Sequence, residues 1–436
     1  MHTTTLAWLV GVLFLGLSST TGAFAPSRKL LERSTLGFQV TLKHVDAGGN
    51  YTKLELVRRS MRRSKTRIER LYAMASDPAT ESHVHAGNGE FLMELSIGTP
   101  PSSYQAILDT GSDLIWTQCK PCKQCFDQPT PIFDPDKSSS FSKLPCSSKL
   151  CSALSMSSCT HATCQYMYTY GDYSSTQGIM GTETFTFGSV GVPKIGFGCG
   201  ADNEGGGFSQ GSGLVGMGRG PLSLISQLDV PKFSYCLTSI DSTKTSTLVM
   251  GSLAANDTFA AKDMVTTPLI TSPSSPSFYY LSLHGITVGD KQLPIKKSSF
   301  ALNEDGTGGV IIDSGTTITY LEEDVFNLLK KEFVTQMQLP VDDSADTGLD
   351  LCFKIPSGAT NIDVPKLIFH FEGNGADLDL PGENYIVADS SGVACLAMES
   401  SSGMSIFGNF QQQNMLVVHD LVKETISFVP KQCDQL

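Results

Sequence analysis

The chain has 436 residues, 40% of them apolar, and a formal net charge of −12. That length and apolar content allow two or three domains with buried cores and exclude a wholly disordered chain. The acidic balance argues against a nucleic-acid partner, and no apolar run is long enough to span a bilayer.

The first element in chain order is an apolar run, Leu6 to Leu17, followed by small residues and Ala23-Phe24-Ala25. At about a dozen residues it fits the core of a signal peptide cleaved after an A-x-A site, so residues 1–25 are expected to be removed and the product to be secreted, extracellular and not membrane-bound. Residues 26–78 come next, with 12 Lys/Arg against 5 Asp/Glu, a net of +7. The remainder, 79–436, holds 19 against 38, a net of −19, and its single arginine is Arg219. A basic segment ahead of an acidic secreted body is expected to pair with that body as a propeptide. Within it, Leu54, Leu56, Val57, Met61, Ile68 and Leu71 predict an amphipathic helix over 54–74, with Arg58, Arg59, Arg62 and Arg63 as candidate latch charges. Asn50-Tyr51-Thr52 and Asn256-Asp257-Thr258 are glycosylation acceptors; only Asn256 would outlast propeptide removal.

From Phe91 onward, alternation and Gly-rich turns predict mainly strands: Glu90 to Gly98, Thr182 to Phe187 and Phe278 to Leu283 among them. Helices are predicted over Glu322–Met337, on the face Val325, Phe326, Leu329, Phe333 and Met337, and over Pro221–Leu228. Pro268, Pro273 and Pro276 among serines mark a connection, so lobes of 79–265 and 266–436 are expected.

Two strand-like runs, Ala106-Ile107-Leu108 and Val310-Ile311-Ile312, end in Asp109-Thr110-Gly111-Ser112 and Asp313-Ser314-Gly315-Thr316. Each could bring one carboxylate from a tight turn to a shared cleft, where two carboxyls can share a proton and activate a water. A third triplet, Asp346-Thr347-Gly348, follows an acidic, non-strand run and reads as a solvated loop. Leu214-Val215-Gly216 and Ile406-Phe407-Gly408 follow the two good triplets at matching distances, which implies one supersecondary unit used twice about a pseudo-twofold axis.

Twelve cysteines, seven of them between 119 and 164, permit six disulfides in an oxidising compartment. Cys119-x2-Cys122-x2-Cys125 resembles a metal-ligand run, but without an accompanying histidine pair it is assigned to disulfides. Gly211-x-Gly213-x-x-Gly216 lacks the βαβ context of a dinucleotide site, and His83 and His85 show no metal spacing. No metal or cofactor is expected.

These motifs, with Trp116, Tyr170-Gly171 and the stretch Phe278 to Ile286, resemble the pepsin-type aspartic proteases over residues 90–430, and more narrowly the nepenthesins. The resemblance implies a mostly β, bilobal fold and a monomeric acid endopeptidase acting on polypeptides and held inactive by its own propeptide. Asp109 and Asp313 would be catalytic. Ser112 and Thr316 would hold the outer carboxylate oxygens, and Thr110 and Ser314 would cross-link the loops. Gly111 and Gly315 would let amides approach. Tyr170 would sit in a substrate-covering flap, hydrogen-bonded by Trp116. The implied disulfides are Cys119–Cys122, Cys125–Cys199, Cys146–Cys164, Cys151–Cys159, Cys236–Cys433 and Cys352–Cys395. The rival reading is an inactive binding or inhibitor protein on the same scaffold.

Overall fold

The computed structural model describes residues 37–76, 91–170, 174–205, 208, 210–228, 231–254, 263–303, 306–344, 347–357, 362–388 and 392–436. The expected signal peptide, His83, His85, Gly171, Asn256 and Asp346 lie outside them. Asn50 is described and exposed.

Phe91–Ile97 and Ser102–Asp109 form an antiparallel hairpin, registered from Ile97 opposite Ser102 to Leu92 opposite Ile107. Its tight connection includes Gly98 at φ 96°, a backbone conformation that favours glycine. Gly213–Gly216 then lies parallel to the strand that ends in Asp109, with Gly216 opposite Asp109. The second half repeats this: Val310–Ile312 pairs in parallel with Ser405–Phe407, Ile312 opposite Phe407. Each aspartate therefore leaves a buried strand end beside an apolar-apolar-Gly strand. The matching triplets predicted that repeat.

The two lobes meet through a run of antiparallel strands. Lys232–Cys236 pairs with Ser246–Gly251 on one side and with Met415–Asp420 on the other; Thr425–Pro430 follows, then Val265–Ile270. A continuous apolar core, from Leu95, Leu108 and Phe197 to Leu281, Ile312 and Phe428, runs beneath it. Helix Glu323–Gln336 covers the second lobe with Val325, Phe326, Leu329 and Phe333 buried, within two residues of its predicted bounds. The helix predicted over 221–228 is shorter, Leu224–Leu228.

The basic leading segment is woven into this sheet. Strand β1 (Gly37–His44) lies between Ser246–Gly251 and Phe91–Ile97, antiparallel to both. Phe38, Val40 and Leu42 face inward and are buried, while Gln39 and Thr41 face water. This strand was not among the sequence predictions. Helix α1 (Lys53–Ser76) follows, within two residues of the prediction, started by a reciprocal cap between Thr52 and Glu55. Its Leu54, Leu56, Val57, Ile68 and Leu71 are buried against Ile240, Phe278, Ile318 and Phe410. Burial of each side chain contributes about 1.5–3 kcal/mol.

Six disulfides form, and four differ from the implied pairing: Cys119–Cys199, Cys122–Cys125, Cys146–Cys159 and Cys151–Cys164. Strand Trp116–Gln118 lies parallel to Val190–Glu204 with Thr117 opposite Cys199, so Cys119 reaches Cys199 and leaves Cys125 to its neighbour Cys122. In the insertion, Cys159 and Cys164 are opposite each other on a hairpin, Cys159 exposed and Cys164 buried. The short helix Lys149–Ser152 presents buried Cys151 to buried Cys164, and Cys146 is left to reach Cys159. Cys236–Cys433 and Cys352–Cys395 coincide with the implied pairs.

Candidate active site

Asp109 and Asp313 are both buried, their carboxyl groups facing each other across the lobe junction. Each carboxylate is held by its own loop in the same way. The Gly111 and Gly315 amides donate to Asp109 Oδ1 and Asp313 Oδ1, both at 3.0 Å. Ser112 Oγ donates to Asp109 Oδ2 at 2.5 Å and Thr316 Oγ1 to Asp313 Oδ2 at 2.6 Å. Beneath the pair, Thr110 Oγ1 lies 3.1 Å from Ser314 Oγ and accepts from the Ser314 amide at 3.0 Å. Backbone bonds from Met217 N to Asp109 O, 2.7 Å, and from Asp313 N to Phe407 O, 3.2 Å, fix the strand ends. Asn409 adds a side-chain bond to Ser314 O at 3.0 Å. The result is two like-charged groups with fixed outer oxygens and inner oxygens converging on one point.

That point is occupied. Arg67 of α1 is 1% exposed at its side chain and donates from Nη2 to Asp109 Oδ1 at 2.6 Å and Asp313 Oδ1 at 2.8 Å. Its Nε donates to Asp313 Oδ2 at 2.7 Å. A Cβ at Gly111 would stand 2.6 Å from Arg67 Nη2, and one at Gly315 would stand 2.7 Å from Arg67 Cζ, so only glycine at both leaves room for the guanidinium. One turn earlier on α1, Ser64 Oγ accepts from the Thr317 amide at 3.1 Å. Burial pushes the Asp313 carboxyl up, but the Arg67 charge and hydrogen bonds more than offset it, and Asp313 is held below the usual carboxylate range. Burial likewise opposes the Arg67 charge, and the two aspartates outweigh it, so its pKa is raised. A buried charge is tolerable only when paired in this way.

The sequence did not single out Arg67. Of the four candidate latch arginines, two pair within the leading segment. Arg59 and Arg63 both bind Asp46, inside the leading segment, at 3.0 and 2.7 Å, and Arg62 is exposed. The Asp46 pairs tie α1 to the turn that follows β1. The signal for Arg67 was its place on the buried stripe: Ser60, Ser64, Arg67 and Leu71 share one face, and small serines there leave space for a close approach.

Tyr170 and Trp116 are fully buried and in contact, ring centroids 6.3 Å apart, with Phe208 packed edge-on against both at 4.8 Å. Burial raises the pKa of the Tyr170 hydroxyl well above normal, and the Trp116 indole beside it tempers that rise, although the two polar atoms do not meet in full hydrogen-bond geometry. The rings meet tilted by 41°, an aromatic packing contact.

Two β lobes, each ending a buried strand in one of a facing pair of aspartates, define a pepsin-like aspartic protease. Residues 91–252 and 278–430 match the family models described as xylanase inhibitor N-terminal and xylanase inhibitor C-terminal. The chain is 56% identical over 405 residues to aspartic proteinase nepenthesin-1 of Nepenthes gracilis, covering 92% of both chains. With nepenthesin-2 of the same plant it shares 49% over 432 residues, 96% of this chain and 97% of that one. Among solved structures, soybean basic 7S globulin superposes with a TM-score of 0.62 at 21% identity, over 80% of this chain and 95% of that one, a likeness of fold alone. The chain belongs to the nepenthesin-type aspartic proteases and is an aspartic-type endopeptidase.

Proposed function

We propose that the chain is a secreted endopeptidase, made as a zymogen and working at acidic pH as a monomer on extended polypeptides. Residues 1–25 are its signal peptide and 26–78 its propeptide; 79–265 and 266–436 are the lobes, and a substrate lies between them under a flap around Tyr170. The observation that carries this reading is the duplicated geometry at Asp109 and Asp313. With each outer oxygen bonded to a hydroxyl, the inner oxygens are free to bind one water once Arg67 has left. Arg67 Nη2, within 2.8 Å of both inner oxygens, marks where that water would stand.

Two carboxyls this close cannot both ionise readily in a buried site, so one keeps a proton. The ionised member takes a proton from the water as it attacks the peptide carbonyl, and the protonated member donates to the carbonyl oxygen. The bond to the leaving nitrogen then breaks with that nitrogen protonated, and no covalent enzyme intermediate forms. The macroscopic titrations belong to the pair.

The propeptide reading rests on Arg67, which fills the water position and neutralises the dyad, and on β1 and α1, which anchor it. Acid releases it by protonating the carboxylates. Asp313 is held below the usual range, so the contact persists above the ordinary carboxylate pKa of about 4 and is lost only as pH falls through the lower value.

The family descriptions as xylanase inhibitors favour a second reading, an inactive inhibitor on this scaffold. Both aspartates with their four supporting hydroxyls intact weigh against it. Digestion of denatured haemoglobin by the acid-treated protein, from pH 2 to 8, separates the two. An acidic optimum is expected; no hydrolysis at any pH would leave the inhibitor reading standing.

A further inference from the structure

The internal duplication breaks one residue after the supporting hydroxyls. The second loop continues with Thr317, which faces α1; the first continues with Asp113, a buried carboxyl that the dyad chemistry does not use. The Gly218-Arg219-Gly220 turn wraps this carboxyl. Gly220 N donates to Asp113 Oδ1 at 2.9 Å, and Gly218 N donates to Ser112 O at 2.8 Å. A Cβ at Gly218 or Gly220 would fall 2.4 Å from Asp113 Oδ1 or 2.0 Å from Asp113 Oδ2, so the turn is shaped around the group.

The other carboxyl oxygen crosses to the second lobe. Ser277 Oγ donates to Asp113 Oδ2 at 2.5 Å. Ser277 sits two residues before strand Tyr279–Leu281, which pairs with Val310–Ile312, Tyr279 opposite Ile312, the residue before Asp313. Four further bonds tie the same junction. Arg219 N donates to Ser277 O at 3.1 Å, Tyr279 Oη donates to Met217 O at 2.7 Å, and the Arg219 guanidinium binds Glu424 and, at 3.3 Å, the Ile270 carbonyl. A short path of hydrogen bonds and one strand pairing thus runs from the Asp109 loop to Asp313.

We propose that Asp113 is a positioning residue for peptide hydrolysis: through Ser277 it sets the distance between the Asp109 loop and the Asp313 strand, and it serves best protonated. The inference rests on the endopeptidase reading. Protonated, Asp113 can give its own proton to Ser277 Oγ while accepting from Gly220. Ionised, it is a buried anion beside Asp109, and burial with that neighbour raises its pKa. The titratable groups around it offer little relief. Tyr168 and Tyr279, from the two flanking strands, have pKa values raised well above normal and stay neutral. Arg219 is engaged by Glu424, and among the described residues no cation pairs with Asp113. Because its pKa is raised on folding, the neutral group's stabilisation is complete below the unfolded value of about 4 and is lost as pH rises through the folded one.

The test compares mature wild type, Asp113→Asn, Asp113→Ala and Ser277→Ala on a fluorogenic peptide at the acidic optimum. Residual activity is also measured after preincubation at stepwise higher pH. Asn keeps one acceptor for Gly220 and one donor for Ser277. Asp113→Ala is expected to lose about 100-fold in kcat with KM within about twofold, as for a misplaced reacting group. Asp113→Asn should restore kcat to within about threefold and move half-inactivation to higher pH by half a unit or more. Should Asp113→Ala not fold, Ser277→Ala decides, with kcat expected to fall about tenfold. Wild-type kcat in a folded Ala variant, or an Asn variant as poor as Ala or with an unmoved inactivation pH, overturns the proposal. An inactive wild type would overturn the endopeptidase reading instead.

Discussion

Replacing Arg67 with Met keeps most of the side chain's bulk on the buried face of α1 and removes the charge that sits between Asp109 and Asp313. Three hydrogen bonds of 2.6–2.8 Å are lost, all charge-assisted and all buried. Removing one partner from such a group costs about 3–5 kcal/mol, and the exposed pair of carboxylates recovers part of that by binding a proton. A net of about 3 kcal/mol changes the ratio of closed to open zymogen by roughly 100-fold. If opening takes up one carboxyl proton, that ratio moves the midpoint of activation upward by about two pH units. The assay is a pH series of the purified precursor, followed by gel for loss of the leading segment and by peptide hydrolysis. Arg67→Met is expected to begin processing about two units above wild type. A variant that neutralises Arg59 and Arg63 should move less, since both side chains pair with Asp46 inside the leading segment. Processing of Arg67→Met at the wild-type pH would refute the plug.

Two further outcomes follow from the same geometry. Non-reducing peptide mapping should recover Cys119–Cys199, Cys146–Cys159 and Cys151–Cys164; a Cys146–Cys164 or Cys151–Cys159 peptide would contradict the pairing within the insertion. His419 is fully buried, stacked on Phe233 at 4.2 Å, and burial pushes its pKa down to about 3. Since the unfolded chain binds this proton near pH 6.5, His419 destabilises the fold by roughly 1.4 kcal/mol per unit as pH falls from there toward 3. His419→Phe should therefore raise the melting temperature at pH 4 more than at pH 7; an equal change at both would show that the imidazole's titration is irrelevant.

The elements legible in the sequence were those whose signal is local. Asp109 and Asp313 each close an apolar run with a Gly turn, and the repeat of that pattern exposed the twofold relation of the lobes. Helix Glu323–Gln336 and α1 announced themselves by their apolar stripes. What stayed hidden depends on partners far along the chain. Arg67 is one of several arginines on a basic helix, and only the seating of α1 over the cleft sets it apart. Strand β1 carries a visible Phe38, Val40, Leu42 alternation, but its neighbours are 50 and 200 residues away. The disulfides followed strand register, which spacing does not encode: Cys119 reaches Cys199, 80 residues further on, because their strands pair in parallel. Asp113 was not singled out in the sequence, because the groups that hold it, Gly220 and Ser277, lie more than 100 residues further along the chain.

The most direct test is hydrolysis of a denatured protein at the acidic optimum by the mature wild type, Asp109→Asn and Asp313→Asn, with Asp346→Asn as the control triplet. Folding of each is checked by melting temperature. Wild type and Asp346→Asn should cleave at similar rates, and both dyad variants should show no hydrolysis above background, because water activation needs one ionised and one protonated carboxyl. Sustained cleavage by either folded dyad variant would contradict the two-aspartate mechanism.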